Sequence, residues 1–484
     1  MIAGFRLFAA FALAVGLGSL SASVRAQGPG PADQAALVEK GRYLAVAGDC
    51  RACHTNPQGG KPFAGGYALA SPLGSIVSSN ITPSKRYGIG NYTEQQFVRA
   101  LREGIRGDGA HLYPAMPYTS YTRLNDEDVR ALYAYFMHGV AAVDEPAATT
   151  NLPFPFNLRI AMLGWNLLFL DDRRFVPDGG KSAQWNRGAY LVNALEHCDA
   201  CHTPRNILMA EKSGRAFAGA PLGPWYAPNI TSDPVSGIGG WTDRELVEYL
   251  KTGHVAGRDQ AAGGMAEAVE NSLQFLSDDD LQAVALYLKS VAPVRDARET
   301  KPAYAYGAPA SFEAVLRGAS GPNERNTVTS GEALYSGYCA SCHQPTGAGS
   351  GNQAYPSLFH NGATGSPTAA NLVAAVLFGV DRTSVNERQV LMPRFDELSY
   401  VNPLSDEQIA AVSNFVLGQF GNPSVQVTAA EVALARQGGP TSPLALAAPY
   451  LLPAAILFAA IVLGLIVLRY RRRRAARVLA NEPR

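Results

Sequence analysis

Apolar residues recur with a helical period in three stretches of the chain, and each stretch opens with the same polar signal. A short polar residue and two or three acidic residues precede the apolar positions in Leu124-Asn-Asp-Glu-Asp-Val129, Leu276-Ser-Asp-Asp-Asp-Leu281 and Leu404-Ser-Asp-Glu-Gln-Ile409. Such residues cap helix N-termini and interact favourably with the helix dipole. We interpret the acidic clusters as solvated helix starts rather than metal sites. The pattern predicts one amphipathic helix in each of three related units.

The first two units share further repeated sequence motifs. Ser79-Asn-Ile-Thr82, Gly88-Ile-Gly90 and Thr93–Phe97 reappear 149 residues later, as Pro228-Asn-Ile-Thr231, Gly237-Ile-Gly239 and Thr242–Leu246. In both copies, Thr is followed three residues on by Gln96 or Glu245, which predicts a capping box. Duplication with loops rich in Gly and Pro predicts small tandem helical domains.

Both ends carry charge-free apolar runs. The run Leu7–Leu20 follows Arg6 and precedes Val24-Arg25-Ala26, which is typical of a cleaved signal peptide. The run Tyr450–Leu468 is long enough to cross a bilayer, and a series of arginines starting at Arg469 follows it. By the positive-inside rule we expect a single-pass protein of the inner (cytoplasmic) membrane, with its body in the periplasm and its C-terminus in the cytoplasm.

The composition supports an exported globular body. Charged residues make up 17% and apolar residues 47% of the chain, and the net charge is +1. This balance excludes a disordered chain or a nucleic-acid-binding protein. Both ends are basic, with Arg6 and Arg25 in the first 26 residues and seven arginines from Arg469 onward, and the stretch between them therefore carries a net charge of −7.

All six cysteines lie in C-x-x-C-H motifs, which attach c-type haem through two thioethers and bind its iron through the histidine. A structural zinc site would need four ligands from paired motifs, and three motifs cannot pair. We therefore predict three covalently bound haem c groups. The predicted attachment residues are Cys50, Cys53, Cys198, Cys201, Cys339 and Cys342, and the proximal iron ligands are His54, His202 and His343.

Three methionines recur in matching places after these histidines. Met116, Met265 and Met392 follow the haem histidines by 62, 63 and 49 residues, whereas Met137, Met162 and Met209 have no counterpart. We predict that these three methionines are the second axial ligands. Closed His/Met coordination suits an electron carrier rather than a catalyst, so no catalytic residue is assigned.

Other features leave alternatives open. A proline follows each haem motif, and a carbonyl there could orient the imidazole or the proline could simply end the loop (Pro57, Pro204, Pro345). The remaining histidines are expected on the surface or in packing (His111, His138, His197, His254, His360). The apolar segment Leu152–Leu170 is expected to pack as a helix against a haem domain, or to dock on another protein or the bilayer.

The predicted fold class is all-α, with three tandem cytochrome-c-like haem domains plus one C-terminal transmembrane helix. The predicted boundaries are 1–26 for the signal peptide, 27–147, 184–297 and 330–422 for the haem domains, 148–183 for an apolar linker, 298–329 and 423–443 for further linkers, 444–468 for the transmembrane helix and 469–484 for the basic tail.

These motifs, together with Tyr113-Pro-Ala-Met-Pro-Tyr118, Cys201-His-Thr-Pro-Arg205 and Tyr355-Pro-Ser-Leu358, resemble those of the tri-haem cytochrome c subunits of bacterial membrane-bound dehydrogenases. That group serves flavoproteins acting on gluconate, fructose, sorbitol or glucose, and quinoprotein alcohol dehydrogenases. The likeness covers essentially the whole mature chain. The C-terminal span with its basic tail is more similar to the flavoprotein branch.

The resemblance implies an electron-transfer subunit with no substrate chemistry of its own. It would relay electrons from a catalytic subunit, with FAD or a quinoprotein cofactor, to ubiquinone in the membrane, and a small third subunit would complete the complex. Alternatives are a quinoprotein alcohol dehydrogenase cytochrome, a free-standing anchored carrier to a terminal oxidase, and a multi-haem enzyme with one open iron. The chain shows no dinucleotide-binding motif and no nucleophile–base constellation.

Overall fold

The computed structural model describes residues 31–310, 327–384 and 388–480. The predicted signal peptide, part of the linker 298–329 and the last four residues of the basic tail lie outside these ranges. We call 31–147 unit 1, 183–297 unit 2 and 327–422 unit 3.

Each unit is a set of short helices with small strand pairs. The helices of unit 1 are Pro31–Ala47, Cys50–His54, Glu94–Glu103, Tyr118–Tyr121 and Asp126–His138; those of unit 2 are Ala183–Tyr190, Cys198–His202, Asp243–Thr252, Gly263–Asn271 and Asp278–Leu288; those of unit 3 are Gly331–Leu334, Ala340–His343, Gly362–Gly365, Ala370–Phe378 and Asp406–Phe420. The helices Ala183–Tyr190 and Gly331–Leu334 continue as π-turns into the haem motifs, at Leu191–Leu195 and Tyr335–Cys339. Short 3₁₀ turns lie at Ser213–Arg215, Leu273–Phe275 and Ala303–Ala305.

The predicted all-α class is confirmed for the helical framework, but the described ranges also contain four antiparallel strand pairs. These are Ala68–Ser71 with Gly74–Val77, Ala218–Leu222 with Trp225–Asn229, His254–Val255 with Asp259–Gln260, and Val380–Ser384 with Arg388–Met392. The strands are two to five residues long, too short for an alternating apolar pattern to reveal them.

The predicted helix starts are confirmed. Thr93 and Thr242 form complete capping boxes with Gln96 and Glu245. Ser405 does the same with Gln408 in unit 3. Each box satisfies two backbone donors that a helix start otherwise leaves unpaired.

Units 1 and 2 share one hydrophobic core, whereas unit 3 has its own. Leu44 and Leu132 of unit 1 belong to the same buried cluster as Leu191 and Leu281 of unit 2. The core of unit 3 is built around buried side chains such as Tyr335, Leu377 and Phe420. The first two units are therefore one packed body, to which the third is attached.

The interface of units 1 and 2 is reciprocal. The Tyr190 hydroxyl of unit 2 donates to Asp128 of unit 1 at 2.6 Å, and the Tyr43 hydroxyl of unit 1 donates to Asp280 of unit 2 at 2.7 Å. Tyr43 and Tyr190 are repeat equivalents, as are the two aspartates. In each case the tyrosine of one unit bonds the aspartate of the other, which is the pattern of contacts expected at a two-fold symmetric interface.

This exchange corrects one expectation. The interpretation of the acidic clusters as solvated is wrong for their third members, because Asp128 and Asp280 are only 4% and 8% exposed. Within their own units they also pair with cations, Asp128 with Lys40 at 2.8 Å and Asp280 with Arg187 at 2.7 Å. They carry inter-unit hydrogen bonds in addition to their place in the first helical turn.

The apolar linker packs on the body and also leaves one face open. Its helix Ala161–Phe169 is held by the Trp165 indole, which donates to the Leu208 carbonyl at 2.9 Å, and by Asn166, which accepts from the Tyr118 hydroxyl at 2.8 Å. Its opposite side exposes large side chains, among them Leu167 at 86%. The prediction of intramolecular packing is confirmed, and docking on a partner stays a prediction.

After unit 3 come the helix Ala429–Arg436 and the long helix Pro443–Ala480. In the described part of the chain this last helix alone is long and apolar enough to cross a membrane, over Pro443–Arg472. The most apolar stretch within it packs against nothing in the protein. This agrees with membrane anchoring.

Candidate haem-binding sites

Each C-x-x-C-H motif forms one turn of helix. Cys50–His54 and Cys198–His202 are such turns, and in unit 3 Ala340–His343 continues from the π-turn that ends at Cys339. Cysteines three residues apart, followed by the histidine, lie on neighbouring positions of one helix face. All six cysteines are free thiols rather than disulfides.

The three haem-motif histidines make the same hydrogen bond. The Nδ1 atom of His54 lies 2.7 Å from the Ser79 carbonyl, that of His202 2.7 Å from the Pro228 carbonyl, and that of His343 2.9 Å from the Pro356 carbonyl. A carbonyl can only accept, so Nδ1 carries the proton. This leaves Nε2 of each ring as the nitrogen that can bind iron.

The acceptors are not where we expected them. The idea that the orienting carbonyl lies at Pro57, Pro204 or Pro345 is wrong, because the acceptors come 13 to 26 residues after the histidines. A signal was present in the sequence: Ser79 and Pro228 directly precede the repeated Asn-Ile-Thr motif, and Pro356 lies in Tyr355–Leu358. The hydrogen bond between imidazole and carbonyl could not be read from the sequence, because a loop brings together residues that are far apart along the chain.

The repeated Asn-Ile-Thr motif holds that loop in place. The Asn80 amide donates to the Val143 carbonyl at 2.9 Å, and its oxygen accepts from the backbone N–H of Thr82 at 2.9 Å. Asn229 makes the equivalent bonds in unit 2, to Val294 at 2.7 Å and from Thr231 at 2.8 Å. The motif therefore fixes the carbonyl that orients each imidazole.

The first glycine of each Gly-Ile-Gly motif is required by close backbone contact. A Cβ at Gly88 would lie 2.1 Å from the Thr82 carbonyl oxygen, and one at Gly237 would lie 2.2 Å from that of Thr231. No side chain fits there. This explains why the motif accompanies the Asn-Ile-Thr turn in both units.

Burial lowers the pKa of the His54, His202 and His343 imidazoles, and the hydrogen bond from Nδ1 to the carbonyl partly opposes that shift. A buried ring is harder to charge because it loses solvation by water. The rings thus remain neutral at physiological pH. Neutral imidazole is the form that binds a metal.

The three methionines lie in different local structures. Met116 occupies a tight turn in which its N–H donates to the Tyr113 carbonyl at 3.1 Å. Met265 lies in the first turn of Gly263–Asn271, and Met392 ends the strand Arg388–Met392. Met116 and Met265 pack against the shared core of units 1 and 2, and Met392 against the core of unit 3. Their role as axial ligands stays a prediction.

His197 has a packing role. It directly precedes Cys198, adopts φ 41°, and meets Tyr121 of unit 1 edge-on with ring centroids 5.6 Å apart. Burial lowers the pKa of His197 to about 4. The neutral ring therefore serves the contact between units 1 and 2.

The residues present fit haem c. The motif turns offer paired free thiols, and an imidazole with one committed nitrogen and one available nitrogen follows each pair. Three such sets occur in the described residues.

The cytochrome c family model matches residues 38–139 and 328–419. The fructose dehydrogenase cytochrome subunit of Gluconobacter japonicus is 48% identical over 452 residues, which cover 92% of this chain and 93% of that protein. This chain belongs to the dehydrogenase cytochrome c subunits. As a cytochrome subunit it transfers electrons and does not carry the catalytic site.

Two further relatives of this cytochrome subunit serve other dehydrogenases. The gluconate 2-dehydrogenase cytochrome c subunit of Pantoea cypripedii is 39% identical, covering 88% of this chain and 94% of that protein. The cytochrome c subunit of the alcohol dehydrogenase (quinone) of Gluconobacter oxydans is 38% identical, covering 85% and 84%. The family model does not match unit 2, which is nevertheless tied to unit 1 by the repeated motifs and their equivalent hydrogen bonds.

Proposed function

We propose that this subunit carries three covalent haem c groups and relays electrons from a catalytic dehydrogenase subunit to ubiquinone. The observation that carries the proposal is the threefold recurrence of a C-x-x-C-H turn whose histidine has Nδ1 bonded to a carbonyl. When bound, haem c supplies reversible one-electron transfer at its iron. The predicted iron ligands are His54, His202 and His343 with Met116, Met265 and Met392.

The residues of the chain itself would position the haem groups and their ligands. The cysteines fix each macrocycle covalently, the Ser79, Pro228 and Pro356 carbonyls orient the imidazoles, and the surrounding apolar cores limit the access of water. A methionine ligand and a water-poor site both raise the reduction potential. These residues set the energies at which electrons enter and leave.

The contacts between units favour a linear relay with unit 2 in the middle. Unit 2 contacts unit 1 at Ser120, whose hydroxyl donates to Asp199 within the second haem motif at 3.1 Å. It meets unit 3 through Asn371, whose amide bonds both the N–H and the carbonyl of Tyr226 at 2.9 Å. Electrons entering at one outer unit would pass through unit 2 to the other.

The catalytic partner is proposed to be an FAD-containing sugar or sugar-acid dehydrogenase, with a small third subunit. Two of the reported relatives are named for fructose and gluconate dehydrogenases, and the long apolar helix with its basic tail resembles the flavoprotein branch more than the quinoprotein branch. The relatives named for alcohol dehydrogenase keep a quinoprotein partner as the second candidate.

Copurification tests the partner. The tagged chain is purified from detergent-solubilised native membranes, and all associated proteins are identified by mass spectrometry. We expect a stoichiometric dehydrogenase that reduces the haems when fructose or gluconate is added. Reduction by ethanol alone would point to the quinoprotein partner, and recovery of the cytochrome alone or with an oxidase would overturn the proposal.

A matched substitution tests the haem number. Cys342→Ala in the third motif should lower the haem-to-protein ratio from three to two, whereas Ser341→Ala in the same motif should retain three. Alkaline pyridine spectra of the denatured protein give the ratio. A ratio of two in the unmodified chain would contradict the three-haem assignment.

The exposed side of the linker helix is the proposed contact for the catalytic subunit. Leu167→Glu should reduce recovery of the partner several-fold without changing the haem spectrum. The control is Phe275→Glu, since Phe275 is also more than half exposed but belongs to another element. Unchanged recovery in Leu167→Glu would remove the linker helix from the interface.

A further inference from the structure

A second apolar surface lies on unit 3, close to the third haem motif, where the Asn402 amide donates to the Tyr338 hydroxyl at 2.9 Å. Its loop carries three exposed apolar side chains, Leu398 at 71%, Tyr400 at 72% and Val401 at 47% exposure. Side chains of this size are costly to leave in water as a group. We name residues 397–402 the anchor-side loop, for the contacts given below.

The anchor-side loop is held in a defined shape. Leu404 N–H donates to the Phe395 carbonyl at 2.9 Å, which closes the loop at its base. The Ser399 hydroxyl accepts from the N–H groups of Val401 and Asn402, each at 3.2 Å. The base is buried, since Phe395 is 2% exposed. The exposed apolar side chains therefore project from a built turn.

The loop is tied to the helix that leads to the membrane segment. Arg436, at the end of Ala429–Arg436, pairs with Glu397 at 3.0 Å and also donates to the Leu404 carbonyl at 3.0 Å. The residues after this helix remain close to its end, because the Gly439 N–H donates to the Leu434 carbonyl at 2.9 Å. Glu397, the one acidic side chain of the loop, is thereby paired with a cation.

The path from this point to the apolar helix is short. Three residues separate Gly439 from Pro443, where the long helix begins. An extended chain covers at most about 14 Å over those four steps. Gly439 also packs against the backbone of Gly223 in unit 2, so the start of the helix is fastened between units 2 and 3. The bilayer surface must lie close to this place.

We propose that the anchor-side loop inserts into the interfacial region of the bilayer that holds the C-terminal helix. The occupant is lipid, because the loop lies where the chain enters the membrane, and tyrosine beside aliphatic residues suits the boundary between headgroups and acyl chains. The loop and the helix together would restrain the tilt of the body on the membrane. The proposal rests on the membrane anchoring inferred above.

The test uses the full haem-loaded chain, without other subunits, in phosphatidylcholine–phosphatidylglycerol nanodiscs. A nitroxide is attached at Leu398→Cys or, as a control, at Ile207→Cys, because Ile207 is also 71% exposed but belongs to unit 2 and not to the anchor-side loop. Power-saturation spectroscopy then compares collisions with oxygen, which is enriched in lipid, and with a water-soluble nickel chelate. We expect an oxygen-to-nickel ratio at position 398 at least threefold above that at 207.

Equal ratios at the two positions would overturn the proposal. A rise at 398 only after the catalytic subunit is added would also overturn it, since that result assigns the loop to a protein interface. An unchanged haem spectrum verifies folding of both labelled chains. Flotation of the unlabelled chain with vesicles tests anchoring separately: flotation with a water-exposed position 398 contradicts the loop contact alone.

Discussion

Single hydrogen bonds determine how the haem-motif histidines can act. Because Nδ1 of His54 donates a hydrogen bond to the Ser79 carbonyl, only Nε2 of the ring can bind a metal, and rotation of the ring is restricted. The same holds for His202 and His343. Met116, Met265 and Met392 are predicted to be the second axial ligands, and that assignment needs a direct test.

Met116→Leu supplies that test. Loss of a thioether ligand should lower one reduction potential and leave the other two nearly unchanged, because a methionine ligand raises the potential. Met137→Leu is the control, since Met137 packs against the same core without a predicted iron. Redox titration followed by absorbance measures both. Three unchanged potentials in Met116→Leu would contradict the ligand assignment.

Asp259 lies at the border of units 2 and 3, against Gly362. We expect its titration to make the stability of the folded protein depend on pH. Burial raises the pKa of Asp259 to about 6. The folded protein therefore keeps a proton on Asp259 that the unfolded chain loses near the usual pKa of about 4. The free energy of unfolding should fall as the pH rises from about 4 to about 6, by up to about 2 kcal/mol. Above that window the effect is constant.

Asp259→Asn should flatten this part of the pH profile. Denaturant unfolding of the wild type and variant at several pH values from 4 to 7 gives the difference. Asp171→Asn is the control, because pairing with Arg173 lowers the pKa of Asp171 to about 2 and places its titration outside the window. Parallel profiles for Asp259→Asn and the wild type would contradict the assignment.

Among the elements, the turn from Ser79 to Gly90 combines several roles. It presents the Ser79 carbonyl to His54, it is held by the Asn80 side chain, and it is packed so tightly that Gly88 has no room for a Cβ. Such a turn acts as a unit. A change within it should affect both stability and haem orientation.

Gly88→Ala should destabilise unit 1 by about 2–4 kcal/mol, because its methyl group would overlap the Thr82 carbonyl. Gly164→Ala is the matched control in the linker helix, where nothing lies within 4 Å of the added Cβ. There we expect no loss, and a gain of up to about 1 kcal/mol from helix propensity. Thermal unfolding followed in the haem absorption band measures both. Equal stability of the two variants would contradict the packing argument.

In the whole molecule, units 1 and 2 act as one body because they share a core and exchange equivalent hydrogen bonds. Two cooperative transitions are therefore expected on unfolding, one for units 1 and 2 together and one for unit 3.

Tyr43→Phe and Tyr190→Phe test this organisation. Tyr43→Phe removes two inter-unit hydrogen bonds, to Asp280 and from the Ser277 N–H, and Tyr190→Phe removes three, to Asp128 and from the backbone and side-chain N–H groups of Asn125. Arg187 and Lys40 still pair with the aspartates, so each substitution should cost about 1–3 kcal/mol. The transition of units 1 and 2 should shift as a whole, and that of unit 3 should remain. Differential scanning calorimetry separates the transitions. Independent unfolding of units 1 and 2 would contradict the shared body.

Local sequence was sufficient wherever the chemistry needs residues at short fixed spacing. The C-x-x-C-H turns, the capping boxes at Thr93 and Thr242, the C-terminal apolar helix and the family all follow from neighbours along the chain, because one helical turn or one apolar run contains the whole signal. Only tertiary structure decided the partners of Nδ1, the burial of Asp128 and Asp280, and the fusion of units 1 and 2 into one core. Those contacts join residues from 13 to more than 200 positions apart, and their pairing depends on how loops close and units dock, which no local spacing encodes.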